Sequence, residues 1–211
     1  SLVLTRILSQ YLSLEEYGTY SQLLLIISVF TSFSILGLTD ATNYFFNQQS
    51  NPEITRNCIS SIFSIQYLAG TICALLIWCL RRRLADYFGN AAIENFCWII
   101  AFMPLLGNLL PMYQNLFISI GKTRIIVWRN LLVSLIQLGV IAVICVAGYK
   151  IQTILLLLLL LNFFQVLYFA ELFKKFSCGI NILRSRRVFF VPILKYSLPM
   201  AFFIFLNALS R

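Results

Sequence analysis

The sequence predicts an all-α, polytopic membrane helix bundle, and three observations carry that reading. Of its residues 60% are hydrophobic and 11% charged, against about 45–50% and about 25% in soluble domains. Mean hydropathy is +0.88, more apolar surface than a water-soluble core absorbs. The apolar residues also fall into runs of roughly 20, the length that crosses a bilayer, and basic residues punctuate those runs. The net charge of +9 therefore concerns loops and orientation. Nucleic acid is not an expected partner, because proteins that bind it carry their charge on hydrophilic faces.

In chain order, residues 1–8 read as the end of a first span, with Arg6 inside the apolar run Leu2, Val3, Leu4, Ile7 and Leu8. A short amphipathic piece with Glu15 and Glu16 leads to a second span over 20–46. It is longer than a bilayer needs, so it should tilt or protrude. Residues 47–57 form a polar loop with an Asn-Pro turn signal. The third span, 58–80, is stopped by Arg81, Arg82 and Arg83, and 84–95 reads as an interfacial connector. The fourth, 96–120, contains Pro104, Gly107 and Pro111; its prolines remove helical hydrogen bonds and should kink it. A tight turn at Gly121 to Arg124 precedes the fifth span, 125–148. A hairpin at Tyr149-Lys150 precedes the sixth, 151–173. Residues 174–196 are a basic connector. Residues 197–211 begin a seventh span, with Pro199 expected in its first turn, where a missing amide is tolerated.

Both ends read as cuts within spans, so the chain is expected to be an N-terminal fragment of a longer protein. Basic residues set its orientation. With a cytoplasmic N-terminus, the inner connectors hold Arg56, Lys122, Arg124, Arg129, Lys174, Lys175, Arg184, Arg186, Arg187 and Lys195. The outer side holds Arg6, Arg81, Arg82, Arg83 and Lys150, half as many. The arginine triplet is the dissenting group.

The six cysteines (Cys58, Cys73, Cys79, Cys97, Cys145, Cys178) form no CxxC pair and mostly lie in apolar runs, where a thiol is a small hydrophobe. There is no histidine, the usual residue for metal hydrolysis and for acid/base work at neutral pH. No phosphate-binding glycine loop, aspartate-rich motif or nucleophile with a partner base is present. No metal or other cofactor is expected, and the chain reads as non-enzymatic.

Polar residues recur at helical spacing within the spans. Ser21, Ser28, Ser32, Thr39 and Asn43 lie on the second; Asn57, Ser61, Ser64 and Thr71 on the third; Asn108, Asn115 and Ser119 on the fourth. Asn130, Ser134 and Gln137 follow on the fifth, and Asn162 and Gln165 on the sixth. Steps of three, four and seven place each set on one face. Two readings stand: hydrogen bonding between packed helices, or the lining of a hydrated cavity. Of the acids, Glu171 should pair with Lys174 or Lys175 near the interface. Asp40 has no local cation, and a central carboxylate costs about 2.5–3.5 kcal/mol on insertion scales. It must therefore face the bundle, pair with a cation or be protonated, either in a structural ion pair or in a cavity or proton-coupling role. Arg129, about one turn into the fifth span, either snorkels or lines a lumen.

Four stretches resemble a known family. TRILSQYLSLEEYGTYSQLLLIIS (residues 5–28) is similar to the signature of polysaccharide-biosynthesis membrane proteins, the lipid-linked oligosaccharide flippases of the multidrug/oligosaccharidyl-lipid/polysaccharide exporter superfamily. ILGLTDATNYFF, NLFISIGKTRIIVWRNLLVSLIQL and ILKYSLPM resemble the same family's second span, fourth-to-fifth span turn and seventh-span opening, in order across the whole chain. The resemblance implies the N-terminal six-helix lobe of a two-lobe, MATE-like transporter over 1–173, a cytoplasmic connector over 174–196 and the start of the second lobe over 197–211. It further implies movement of an undecaprenyl-diphosphate-linked repeat unit across the bacterial inner membrane, for O-antigen, capsule or exopolysaccharide.

Such a substrate needs cations for its diphosphate and polar side chains for its sugars, while the polyprenyl tail stays in membrane lipid. Arginine suits phosphate because its planar fork donates two hydrogen bonds. Arg6, Arg129 and Arg211 are the anion candidates. Ser28, Ser32, Asn43, Ser64, Asn108, Asn115, Ser134 and Gln137 are the sugar-surface candidates, and Asp40 is the ion-coupling candidate. The resemblance implies a polysaccharide polymerase and chain-length machinery as partners. Two rivals are a cation-coupled drug exporter of the same fold and a polytopic polymerase or glycosyltransferase; short connectors argue against the second.

Overall fold

The computed structural model describes residues 6, 9–35, 37–48, 51–147, 150–176 and 189–209; for residues 52, 145, 200 and 203–209 the backbone alone is described. Eight helices run through them: α1 Leu14–Ile35, α2 Leu38–Gln48, α3 Pro52–Phe88, α4 Ala92–Ile100, α5 Met103–Ser119, α6 Thr123–Val146, α7 Ile151–Phe176 and α8 Phe190–Leu209. No strand occurs among the described residues. Five stretches are long and apolar enough to cross a bilayer: Leu14–Gln48, Glu53–Phe88, Ala92–Ser119, Thr123–Ile144 and Ile151–Lys175. The outer surface suits lipid, with Leu131, Leu132, Leu135 and Val143 of α6 all more than half exposed. Water would penalise that surface, whereas acyl chains solvate it.

The helix starts and stops have local causes. Ser13 and Glu16 form a capping box at the head of α1: the Glu16 amide donates to Ser13 Oγ, and the Ser13 amide donates to Glu16 Oε2, both at 3.2 Å. Each satisfies an amide that the first turn leaves free. Asn51 caps α3 by accepting from the Glu53 amide at 2.9 Å. Gly89, at φ 60°, ends α3 in the left-handed region, and the Asn90 amide reaches back to the Ala85 carbonyl at 3.0 Å, the usual glycine termination. The Asn90 side chain then donates to Thr19 Oγ1 and Gln22 Oε1, each at 2.8 Å. One turn residue thus ties α1 to the α3–α4 corner.

Several boundaries differ from those the hydrophobic runs suggest. The second span is two helices, because Gly37 takes φ 66° and turns the chain between Ile35 and Leu38. The fourth span is interrupted between Ile100 and Met103. Pro104, second in α5, begins a helix rather than kinking one, while Pro111 lies inside α5 without dividing it. α3 continues through Arg81, Arg82 and Arg83 to Phe88. At 1.5 Å per residue its 37 residues reach about 55 Å, well beyond a hydrocarbon core of about 30 Å, so charged turns can lie outside it without ending the helix. α8 starts at Phe190, so Pro192 holds the first-turn position and Pro199 sits inside the helix.

α5 is the centre of the bundle, packing against α1, α2, α3, α4, α6 and α7, while α8 lies on α1, α2 and α3. The apolar core is divided by height. One cluster joins Leu23, Ile77, Ile93, Ile99, Ile141 and Ile154 at the end where α3 stops. The other joins Leu38, Ile62, Phe117, Phe169, Phe173 and Ile193 at the end where α3 begins. Between them amides from α3 and α5 bond the last turns of α1: Gln66 Nε2 donates to the Ser34 carbonyl at 3.0 Å, and Asn108 Nδ2 to the Thr31 carbonyl at 3.2 Å. A helix end inside a membrane leaves carbonyls that only protein can satisfy. Gln66 does so for Ser34, while Asn108 adds a second donor to a carbonyl one turn further into α1.

Candidate functional site

Two grooves open at the end of the bundle where α3 begins. The first lies between α2 and α8. Asp40, Asn43 and Asn47 recur at steps of three and four along α2, with Gln48 next to the last, so one face of that helix is polar. Tyr44 from α2 stacks on Tyr196 from α8, with ring centroids 4.4 Å apart and planes 15° from parallel. These six residues line a groove of about 480 Å³. Asp40 stands in the first turn of α2, where a carboxylate is favoured by the helix dipole. It is exposed and belongs to no ion pair among the described residues. Stacked phenols beside amides and a carboxylate offer both a flat apolar face and hydrogen-bonding partners of both senses.

The second groove, of about 650 Å³, lies between α6 and α7. Arg124, Trp128 and Arg129 come from α6, and Phe164, Gln165 and Tyr168 from α7. Arg129 Nη1 donates to Asn130 Oδ1 at 2.7 Å, and Nη2 donates to Gln165 Oε1. The guanidinium lies over the Phe169 ring, 4.4 Å from its centroid, a favourable cation–π arrangement. Its Nε is buried with no hydrogen-bond partner. Arg129 therefore does not snorkel freely and reaches no acid among the described residues; it heads a largely apolar groove with Nε unpartnered.

The remaining sequence candidates divide by their bonds. Asn108 is buried on the Thr31 carbonyl, Asn115 Nδ2 donates to the Thr39 carbonyl at 3.2 Å, and Ser119 Oγ donates to Asn43 Oδ1 at 2.9 Å. These join α5 to α1 and α2. Ser32 donates to the Ser28 carbonyl at 2.9 Å, Ser28 to Leu25 at 2.8 Å and Ser64 to Ser60 at 2.8 Å, bonds within their own helices. Ser134 is exposed and Gln137 half-buried on α6, outside both groove linings. Arg6 is exposed, its carbonyl accepting from Ser9 Oγ at 2.9 Å. Arg211 lies outside the described residues. Glu171 pairs with Lys174 at 2.7 Å, as its spacing implies. Cys58, Cys73 and Cys97 are buried free thiols and Cys79 is exposed and free; the Cys145 side chain and Cys178 are not described.

Gln66, Asn90, Tyr44 and Tyr196 were not among the sequence candidates. Gln66 falls between the stripe positions of its helix. The two tyrosines meet from opposite ends of the chain, and no local pattern pairs them.

Helices of membrane length, with amides bonding the last turns of α1 and two polar-mouthed grooves at one end, define an all-α, multi-pass membrane bundle. The chain belongs to the polysaccharide biosynthesis protein family, whose profile matches residues 3–211. No match is found among curated proteins or among solved structures. Its role therefore lies in polysaccharide biosynthesis.

Proposed function

We propose that the protein is a non-enzymatic flippase. It moves an undecaprenyl-diphosphate-linked oligosaccharide repeat unit from the cytoplasmic to the outer leaflet of the bacterial inner membrane, for O-antigen, capsule or exopolysaccharide assembly. The observation that carries this reading is the α2–α8 groove. Asp40, Asn43, Asn47 and Gln48 beside the stacked Tyr44 and Tyr196 suit a sugar, which presents hydroxyls at its edge and C–H groups on its face. The groove lies in a wall of membrane-length helices, so the lipid tail can stay among acyl chains while the headgroup is held. Arg6, Arg129 and Arg211 are the candidate cations for the diphosphate; none lines this groove, and Arg6 falls on the opposite side of the membrane by the count of basic residues. A polymerase and its chain-length machinery would receive the product.

Complementation tests this. The full-length gene should restore surface polysaccharide to a strain lacking its own flippase, and Tyr44→Ala with Tyr196→Ala should cut that rescue about tenfold, as expected for roughly 1–2 kcal/mol of lost stacking. Full rescue by the double variant, at equal protein level in the membrane, would remove the groove from the mechanism.

Asp40 favours one alternative reading. An acid in a groove, in no ion pair among the described residues, suits a cation-coupled exporter of small cationic drugs. In that case Asp40→Asn should abolish efflux of a cationic dye from cells, and rescue of polysaccharide would fail even for the unaltered protein.

A further inference from the structure

The α6–α7 groove shares no lining residue and no helix with the α2–α8 groove, and its chemistry is different. Its two walls change character together. Arg124 stands in the first turn of α6, and Arg129 follows five residues later, about 7–8 Å along the axis. Leu132 and Val133 come one turn deeper. On α7, running the other way, Tyr168 and Gln165 lie level with the arginines and Phe164 and Leu161 lie deeper. Charge at the mouth, aromatic and amide groups below it and hydrocarbon beyond follow the order of a membrane lipid from headgroup to chain. Trp128 and Tyr168 are amphipathic rings of the kind that settle at a bilayer interface.

Among the described residues the charge at the mouth is uncompensated. Arg129 has no carboxylate partner among the described residues, and Glu171, the acid in the last two turns of α7, is held by Lys174 at 2.7 Å. Two amide oxygens take its terminal nitrogens while Nε stays buried and unpartnered. Nε is closed off from the groove, but each terminal nitrogen keeps a second N–H, and a phosphate oxygen is a strong acceptor for a guanidinium. Apart from those groups the lining is aromatic and aliphatic, with no surface for a chain of sugar hydroxyls.

We propose that this groove holds a resident anionic glycerophospholipid, its phosphodiester on Arg129 and Arg124 and one acyl chain along Leu132, Val133, Leu161 and Phe164. The lipid would neutralise the half-buried cation, accept from the second N–H of its terminal nitrogens and brace α6. α6 packs on α7 and α5 and has much exposed surface. This proposal does not rest on the transport reading, and its test measures no transport.

Trp128 lines the groove and reports on it. The intact protein is placed in detergent micelles with lipids brominated on their chains, and the quenching lost in Trp128→Phe isolates the signal of that residue. Brominated phosphatidylglycerol should quench it at about one tenth of the mole fraction that brominated phosphatidylcholine requires, the factor one charge-assisted hydrogen bond supports. Arg129→Gln should make the two lipids equal, and Arg124→Gln, at an exposed position, should shrink the preference. Inorganic phosphate and an unbrominated polyprenyl diphosphate should not displace the brominated lipid. Equal quenching in the unaltered protein overturns the proposal, as does an undiminished preference in whichever arginine variant folds. Displacement by inorganic phosphate would make the site one for a free anion, and displacement by the polyprenyl diphosphate would assign the groove to the transported lipid. Either result overturns the resident-lipid proposal.

Discussion

Gln66 shows how one side chain can hold a membrane bundle together. It is buried, and its amide nitrogen donates both to the Ser34 carbonyl at 3.0 Å and to Ser34 Oγ at 3.2 Å. Leucine has similar bulk but no donor, so Gln66→Leu strands acceptors where no water reaches them. It should lower unfolding stability by about 1–3 kcal/mol, read from thermal unfolding in micelles by helix circular dichroism. Thr71→Val on the same helix is a control. Thr71 is exposed and its hydroxyl bonds the Tyr67 carbonyl one turn back, so the change should stay within about 0.5 kcal/mol. An equal loss from both would make the cross-helix bond irrelevant. The pair also marks what was legible at this scale. Asn108 and Asn115 stood out because each repeats with neighbours at helical steps, and both bond across helices. Gln66 lies two positions from Ser64, so it projects from another side of α3, and a lone amide among isoleucines carries no period. What singles it out is the broken end of α1, and that break is made elsewhere in the chain.

At the scale of elements the hydrophobic runs located the membrane stretches well and their interruptions poorly. A run of apolar residues reports that a segment sits in lipid, but not whether its backbone is continuous. Continuity depends on one glycine's dihedral and on whether another helix supplies donors to the freed carbonyls. Helix approach follows the same logic. A methyl group built on Gly70 would come within 2.5 Å of Leu105 Cδ1 and 3.0 Å of its Cα, so α3 and α5 meet there at backbone distance, a common use of small residues between membrane helices. Gly70→Val should cost about 1–3 kcal/mol by forcing the helices apart. A methyl on Gly107, also in α5, would meet nothing within 4 Å. Gly107→Ala should therefore stabilise by about 0.4–1 kcal/mol through lost backbone freedom in the unfolded chain. Opposite shifts in unfolding temperature for the two variants are the expected result; two losses of similar size would mean that the glycines act through something other than contact.

For the whole molecule, orientation decides whether the grooves can work as proposed. Both open at the end that gathers the α2–α3, α5–α6 and α7–α8 connectors, since α2 and α7 end there and α3, α6 and α8 begin there. That end also carries the larger share of lysine and arginine in the sequence, which favours the cytoplasmic side. The arginine triplet pulls the other way. In the structure Arg81 and Arg82 both approach Glu94, at 3.3 and 3.4 Å, but acids count little in setting topology, so that contact does not remove the conflict. Impermeant maleimide labelling resolves it. Tyr87, near the end of α3, and Thr123, at the start of α6, are both exposed and mark opposite ends of the bundle. Tyr87→Cys should react in intact spheroplasts, and Thr123→Cys only after the membrane is permeabilised, each compared with protein lacking the new cysteine because Cys79 is itself exposed and free. With that pattern, the Tyr44–Tyr196 groove faces the compartment where lipid-linked sugars are assembled, and loading from the cytoplasm has a route. The reverse pattern would open the groove to the outside. Export from the cytoplasmic leaflet would then need a different binding surface, even though every helix and hydrogen bond described above would be unchanged.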